Sequence, residues 1–153
     1  RLVPVTGFTQ IAEGVYLVPH TTPHLDSVGA LAKLYREERG ECVPDDFNHE
    51  QSLVFRTNEG LAVFNSCSHA GAAVILDEIH RAFPSEKICT FIGGLHLSKM
   101  NDGEVAAYAE RFASFAVPRI YTGHCTGLHA AEILNRTLGG AVRNMTTGMT
   151  FVI

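Results

Sequence analysis

The chain has 153 residues, 46% of them hydrophobic, which fits one soluble α/β domain over residues 1–153 that buries roughly two-thirds of its unfolded surface. Its 12 basic and 16 acidic residues give a net charge of -4 spread without blocks, which argues against a nucleic-acid or anionic-membrane partner and for a small-molecule substrate. No apolar run approaches the length of a membrane span and no signal-peptide pattern opens the chain; Cys42, Cys67, Cys89 and Cys125 form no C-x-x-C pair, so reduced thiols in a cytoplasmic setting are expected.

In chain order, Gly14 reads as a turn and Val15 to Val18 as a strand stopped by Pro19. His20 and His24 then fall in a Thr/Pro-rich turn, as exposed loop histidines. Leu31, Leu34 and Tyr35 suggest a short amphipathic helix between Asp26 and Gly40. An acidic loop with Asp45, Asp46, His49 and Glu50 leads into a hairpin, Ser52 to Thr57 and Leu61 to Phe64, turning at Asn58-Glu59-Gly60. The loop enters the hairpin near the sheet end where its second strand leaves, so these acidic residues and His49 are within reach of whatever that strand presents. For Asp45 and Asp46 a solvated turn accounts for the pattern equally well.

The second hairpin strand breaks into Asn65-Ser66-Cys67-Ser68-His69, and a helix restarts at Ala70 or Gly71 with Ala72, Ile75, Leu76, Ile79 and Phe83 at helical spacing; His80 lies beside that face in a structural role. Ile88 to Ile92 is a buried-strand run followed by Gly93-Gly94 and His96. Asn101 with Glu104 resembles a capping box, opening a helix with a stripe of Val105, Tyr108, Ala109, Phe112 and Ala116 that Pro118 closes. A strand from Arg119 to Thr122 reaches His124, and a third helix runs from about Gly127 to Leu138 with Thr126 as its N-cap, ending at Gly139-Gly140. Two short strands, Ala141 to Arg143 and Met149 to Ile153, are expected to finish the chain.

Three strand ends therefore deliver three histidines, His69, His96 and His124, each among small residues that permit sharp turns. The carboxyl ends of parallel strands form the crevice where α/β sheets bind ligands, and the helix N-termini that follow disfavour imidazolium there. Histidines with nearby carboxylates are the ligand set of a catalytic divalent-metal site, most often zinc, that keeps one position open for water. A competing reading takes Cys67 or Cys125 as a thiolate nucleophile, since each sits near a histidine and a helix N-terminus. Cys67 equally suits a soft metal ligand.

Glu50-Gln51-Ser52-Leu53, Asn65-Ser66-Cys67-Ser68-His69-Ala70-Gly71, Gly93-Gly94-Leu95-His96-Leu97 and Tyr121-Thr122-Gly123-His124-Cys125-Thr126-Gly127, in that order, resemble the metallo-beta-lactamase superfamily. More narrowly they resemble its branch related to dihydropteridinyl-methyl-ribofuranosylaminobenzene-phosphate synthase. The superfamily's H-x-H-x-D-H motif is absent from these residues. The resemblance thus implies the second half of a four-layer αββα sandwich, with His69 and His124 as its metal ligands and His96 lining the site as substrate contact, catalytic proton donor or less usual ligand. Cys67, Asp46, His49 and Glu50 remain alternatives for a further ligand or site residue, and Ser68, Gly94 and Thr126 stand where substrate would be held.

The implied activity is metal-dependent hydrolysis of a small, phosphorylated or pterin-like substrate. Two histidines fall short of the three protein ligands of a catalytic zinc site, and a half-sandwich leaves an apolar face open. An N-terminal half as a second polypeptide, or a homo-oligomer, is expected to complete it. The rival to the enzyme is a binding or regulatory module that keeps the fold without the chemistry.

Overall fold

The computed structural model describes residues 2–153. A seven-stranded mixed sheet forms its centre, and the N-terminal half of that sheet is antiparallel. Strand β1 (Thr9–Ala12) pairs with β2 (Val15–Pro19) across the Gly14 turn, and β2 pairs with β5 (Gln51–Thr57). Between them the chain makes helix α1 (Asp26–Ala32) and a separate two-stranded hairpin, β3 (Tyr35–Glu38) with β4 (Glu41–Pro44). The expected hairpin is present: β5 turns through Asn58-Glu59 into β6 (Gly60–Phe64), with Thr57 opposite Gly60.

From β6 onward every neighbour is parallel. Helix α2 (Ala72–Ala82) leads to β7 (Ile88–Ile92), α3 (Asp102–Ala113) to β8 (Ile120–Thr122), and α4 (Leu128–Thr137) to β9 (Val142–Asn144), giving the order β1-β2-β5-β6-β7-β8-β9. All five residues of β7 are buried, as its unbroken apolar run requires for a strand inside a parallel sheet. Strand β6 is the pivot: its carboxyl end lies beside the exits of its parallel neighbours and, because β5 runs against it, beside the entry to β5 as well.

The three long helices cover one sheet face. Ile75, Leu76 and Ile79 of α2, Val105 and Phe112 of α3, and Ile133 and Leu134 of α4 pack with Val54, Val63, Phe91 and Ile120 in a single core. On the opposite face, which the pairing register assigns to alternate residues, Leu17, Leu53, Phe55 and Phe64 are only half-buried, with the Phe55 and Phe64 rings edge to face at 5.4 Å. The capping box on α3 forms as expected: the Asn101 side chain accepts from the Glu104 N–H and the Glu104 carboxylate accepts from the Asn101 N–H.

Four expectations are corrected. A short helix does form between Asp26 and Gly40, but Leu34 and Tyr35 are not part of it: α1 stops at Ala32, Lys33 turns left-handed, and Tyr35 begins a strand. Gly29 sets where α1 lies, because a Cβ there would stand 2.1 Å from the Asp45 carbonyl oxygen; the glycine lets α1 lie flush on the loop after β4, while Leu31 faces solvent and Leu34 joins a small cluster around Leu25, Phe47 and Ala70. Residues Met149 to Ile153 form no strand; Phe151 instead stacks on Tyr121 at 3.9 Å. Thr126 does not cap α4, since Gly127 occupies that position and the Thr126 hydroxyl is engaged elsewhere. Ala116 lies beyond the end of α3.

Candidate functional site at the carboxyl edge of the sheet

Backbone bonds sew the exits of β6, β7 and β8 together. The Asn65 N–H donates to the Ile92 carbonyl at 2.9 Å, the Gly93 N–H to that of Tyr121 at 2.9 Å, and the Gly94 N–H to that of Ser66 at 2.6 Å. The fully buried Thr126 hydroxyl accepts from the Leu95 N–H and pairs with the Thr122 hydroxyl, while the His96 N–H donates to Cys125 Sγ at 3.3 Å. Gly94 carries no side chain because a Cβ there would meet Cys125 Sγ at 2.6 Å. Ser68 is likewise buried, its hydroxyl accepting from the Asn65 amide. Of the residues assigned to substrate, Ser68 and Thr126 thus have their hydroxyls bonded inside the protein and Gly94 serves close packing.

At this edge the structure brings His69, His96 and Glu50 together. The His69 ring lies 4.7 Å from that of His96, inclined at 65°, and His69 Nδ1 bonds to Glu50 Oε1. A carboxylate can only accept, so Nδ1 carries a proton, and in the neutral ring Nε2 keeps its lone pair. Glu50 is buried and reaches inward from the start of β5, the position the antiparallel hairpin gives it. Burial, followed by the nearby His69 and Lys99, lowers the His96 pKa and so favours the neutral ring; its buried Nδ1 has no partner.

The loop before β5 is locked by its own bonds. The Asp45 carboxylate accepts from the Phe47 N–H, and the Glu50 N–H donates to the Phe47 carbonyl, which stacks the buried Phe47 ring on His69 at 5.8 Å. Asp46 is held by Arg36 and Asn48, and exposed His49 stands 3.6 Å from Asp45. Phe47, Ser68, His96 and His124 all take left-handed backbone (φ 53, 55, 54 and 51), an uncommon conformation for non-glycine residues that tends to gather at functional sites. Cys67 is half-buried; burial first, then Cys125 and Glu50, push its thiol up to about 11, which leaves it protonated at neutral pH and weighs against a thiolate nucleophile.

His124 occupies a single 3₁₀ turn, His124–Thr126, with its side chain exposed. Among the described residues no group of three or more His, Cys, Asp or Glu side chains is arranged to hold a metal ion. The donors nevertheless fit part of such a site. A histidine whose Nδ1–H is fixed by a carboxylate presents Nε2 as a metal-binding histidine does, and the His96 ring, its Nδ1 unpartnered, lies next to that of His69.

No protein-family profile matches the sequence. Over 100 residues, 65% of this chain and 34% of the other, it is 31% identical to the 7,8-dihydropterin-6-methyl-4-(beta-D-ribofuranosyl)-aminobenzene-5'-phosphate synthase of Methanocaldococcus jannaschii. The crystal structure of Tm1679, a metal-dependent hydrolase of the beta-lactamase superfamily, matches the whole chain with a TM-score of 0.83 at 30% identity. This is a beta-lactamase-type fold. The resemblance drawn from the strand-end motifs holds in both sequence and structure, and the sheet with its single helix layer corresponds to one half of the four-layer sandwich. The chain spans about a third of the curated relative, at 34%, and 58% of the structural neighbour. No helix among the described residues is long and apolar enough to cross a membrane.

Sequence reasoning missed His20 and Glu78. His20 is buried rather than exposed, because its Nδ1–H donates to Glu78 on α2 at 2.6 Å. Glu78 also accepts from the N–H groups of Thr21 and Thr22 and from the Thr22 hydroxyl. Nothing local in the sequence marks this pair, which lies 58 residues apart. Burial pushes the Glu78 carboxyl up, but the bonds from His20, Thr22 and Thr21 overcome it and hold the pKa at about 2, against an ordinary 4.5. A pKa lower in the folded state means the unfolded chain binds more protons, so Glu78 stabilises the fold fully above about pH 4.5 and loses that contribution as pH falls towards 2. Glu78→Gln is therefore expected to flatten the fall in stability across that window; urea midpoints at pH 5 and pH 3 with equal slopes in both proteins would contradict this.

Proposed function

We propose that the chain forms one half of the active site of a cytoplasmic, metal-dependent hydrolase acting on a small phosphorylated or pterin-like molecule. The observation that carries the reading is the Glu50–His69 pair beside His96 at the carboxyl edge of the sheet. In it, His69 and His124 would hold a divalent metal, zinc being the ion that best suits imidazole donors with one open position. When bound, the ion supplies a Lewis acid and lowers the pKa of water. Glu50 fixes the tautomer of His69, and His96, half-buried and with its pKa lowered, would accept or return a proton from substrate.

Two histidines do not complete a zinc site, so the remaining ligands come from polypeptide outside these residues, an N-terminal half or a second copy. The half-buried face of Leu17, Leu53, Phe55 and Phe64 supports that association, since apolar area of this kind favours burial against a second sheet. The substrate class follows the name of the Methanocaldococcus jannaschii synthase, which contains a dihydropterin and a ribofuranosyl phosphate.

The test is metal analysis of the natively purified assembly, with hydrolysis of phosphate esters followed before and after a chelator. Bound metal and turnover that chelation abolishes and zinc restores are expected. Turnover indifferent to chelation overturns the reading, and pterin binding without any turnover points to a binding module that keeps the fold.

A further inference from the structure

We infer that a cleft at the amino ends of the parallel strands, the edge opposite to the three histidines, is a binding site for an aromatic carboxylate. Glu59, Lys87 and Arg119 are each the residue immediately before a strand, β6, β7 and β8 respectively. His69, His96 and His124 follow the same three strands, so the two sets stand at opposite ends of the sheet. The cleft lined by Glu59, Lys87 and Arg119 has a volume of about 550 Å³, within the range that encloses small ligands. Its lining divides in two. Lys87 and Arg119 bring positive charge, while Ile88, Phe115 and Pro118 form an apolar wall, with the His80 ring 5.7 Å from that of Phe115.

Arg119 is arranged to take an anion. Its Nε donates to the hydroxyl of the fully buried Thr90 at 3.0 Å, which fixes the guanidinium plane and leaves the terminal nitrogens as a fork. Glu59 Oε2 stands 2.7 Å from Nη2, so a carboxylate already occupies the anion's place. It lies off the line of the N–H bonds, however, and the buried Nη2 is left without a hydrogen bond. A buried donor in that state gains by pairing with a carboxylate free to approach along its N–H bond. Glu59 competes weakly, because its side chain is 64% exposed on the turn between β5 and β6 and an exposed ion pair contributes little. A carboxylate that displaced it would also meet Lys87, which no carboxylate pairs among the described residues. A ring carried by that carboxylate would lie along the wall of Phe115 and Pro118.

This site does not depend on the hydrolase reading. It is tested on the full-length protein by titration with benzoate, followed by proton–nitrogen NMR at the Lys87 and Cys89 amides and the Arg119 side-chain Nε–H. Saturable shifts at these positions are expected, half-complete near ~1 mM, and inorganic phosphate, which lacks the ring, should bind at least about tenfold more weakly. Glu59→Gln removes the competing carboxylate and should tighten benzoate binding by about threefold to tenfold; Lys87→Met should weaken it by a similar factor. Both side chains are exposed, so neither change disturbs the fold. Arg119→Gln should abolish binding. No saturable shift in the wild type overturns the inference, as does an affinity that Glu59→Gln lowers or leaves unchanged, or phosphate binding as tight as that of benzoate. Shifts confined to the loops of His69 and His96 would place the anion at the other edge and overturn it too. Should Arg119→Gln fail to fold, Glu59→Gln and Lys87→Met decide, because their expected effects have opposite signs.

Discussion

Gly93→Ala is expected to lower stability by about 3 kcal/mol and to part the loops that carry His69 and His96. A Cβ at this position would stand 2.5 Å from the Asn65 carbonyl oxygen and 3.1 Å from its carbon. Both are backbone atoms, so no side-chain rotation relieves the overlap and the exits of β6 and β7 must move apart. The bonds at risk are those that define the edge: Asn65 N–H to Ile92, Gly93 N–H to Tyr121, and Gly94 N–H to Ser66. Asn65 also holds Ser68 in its left-handed conformation, one residue before His69. A matched control is Gly7→Ala, whose Cβ would meet nothing within 4 Å and which should change stability by no more than about 0.5 kcal/mol. Urea unfolding of the pair makes the comparison; equal midpoints would show that the strand exits do not approach as closely as described.

The parts of this architecture that the sequence announces are those whose signals are local. The unbroken run of β7, the helical spacing of Ile75, Leu76 and Ile79, and the Asn101–Glu104 box each need only a few neighbouring residues to be read, and each forms as written. The reach of Glu50 to His69 was legible one step further out, because a hairpin brings the entry of its first strand beside the exit of its second. What could not be read depends on distant contacts. Leu31 and Leu34 continue an apolar pattern, yet Gly29 packed against Asp45 sets where α1 lies and leaves Leu31 in solvent. Thr126 has the chemistry of an N-cap, but Leu95 and Thr122 take its hydroxyl first. His20 looked like any loop histidine because its partner sits on a helix 58 residues away.

On the proposed function, His69→Ala and His124→Asn in the full-length protein are both expected to abolish metal binding, but they should differ in stability, because His69 is half-buried and paired while His124 is exposed. His69 is the partner of a buried carboxylate. Removing the ring leaves Glu50 Oε1 as unpaired as Oε2 already is, which costs about 1–3 kcal/mol at neutral pH. His124 is exposed, and asparagine tolerates its left-handed backbone, so the fold should be unchanged within about 0.5 kcal/mol. Glu50→Gln falls between them: the amide oxygen still accepts from Nδ1–H, but without charge it holds the ring more weakly, and metal affinity should drop by roughly tenfold to a hundredfold. Metal content by mass spectrometry and unfolding midpoints on the same four proteins, wild type included, give both axes. Full occupancy in His124→Asn would take His124 out of the ligand set and leave the sheet edge with His69 and His96 as its metal-facing pair. Full occupancy in His69→Ala would do more, because the Glu50 pairing would then be a structural bond and the hydrolase reading would lose the observation that carries it.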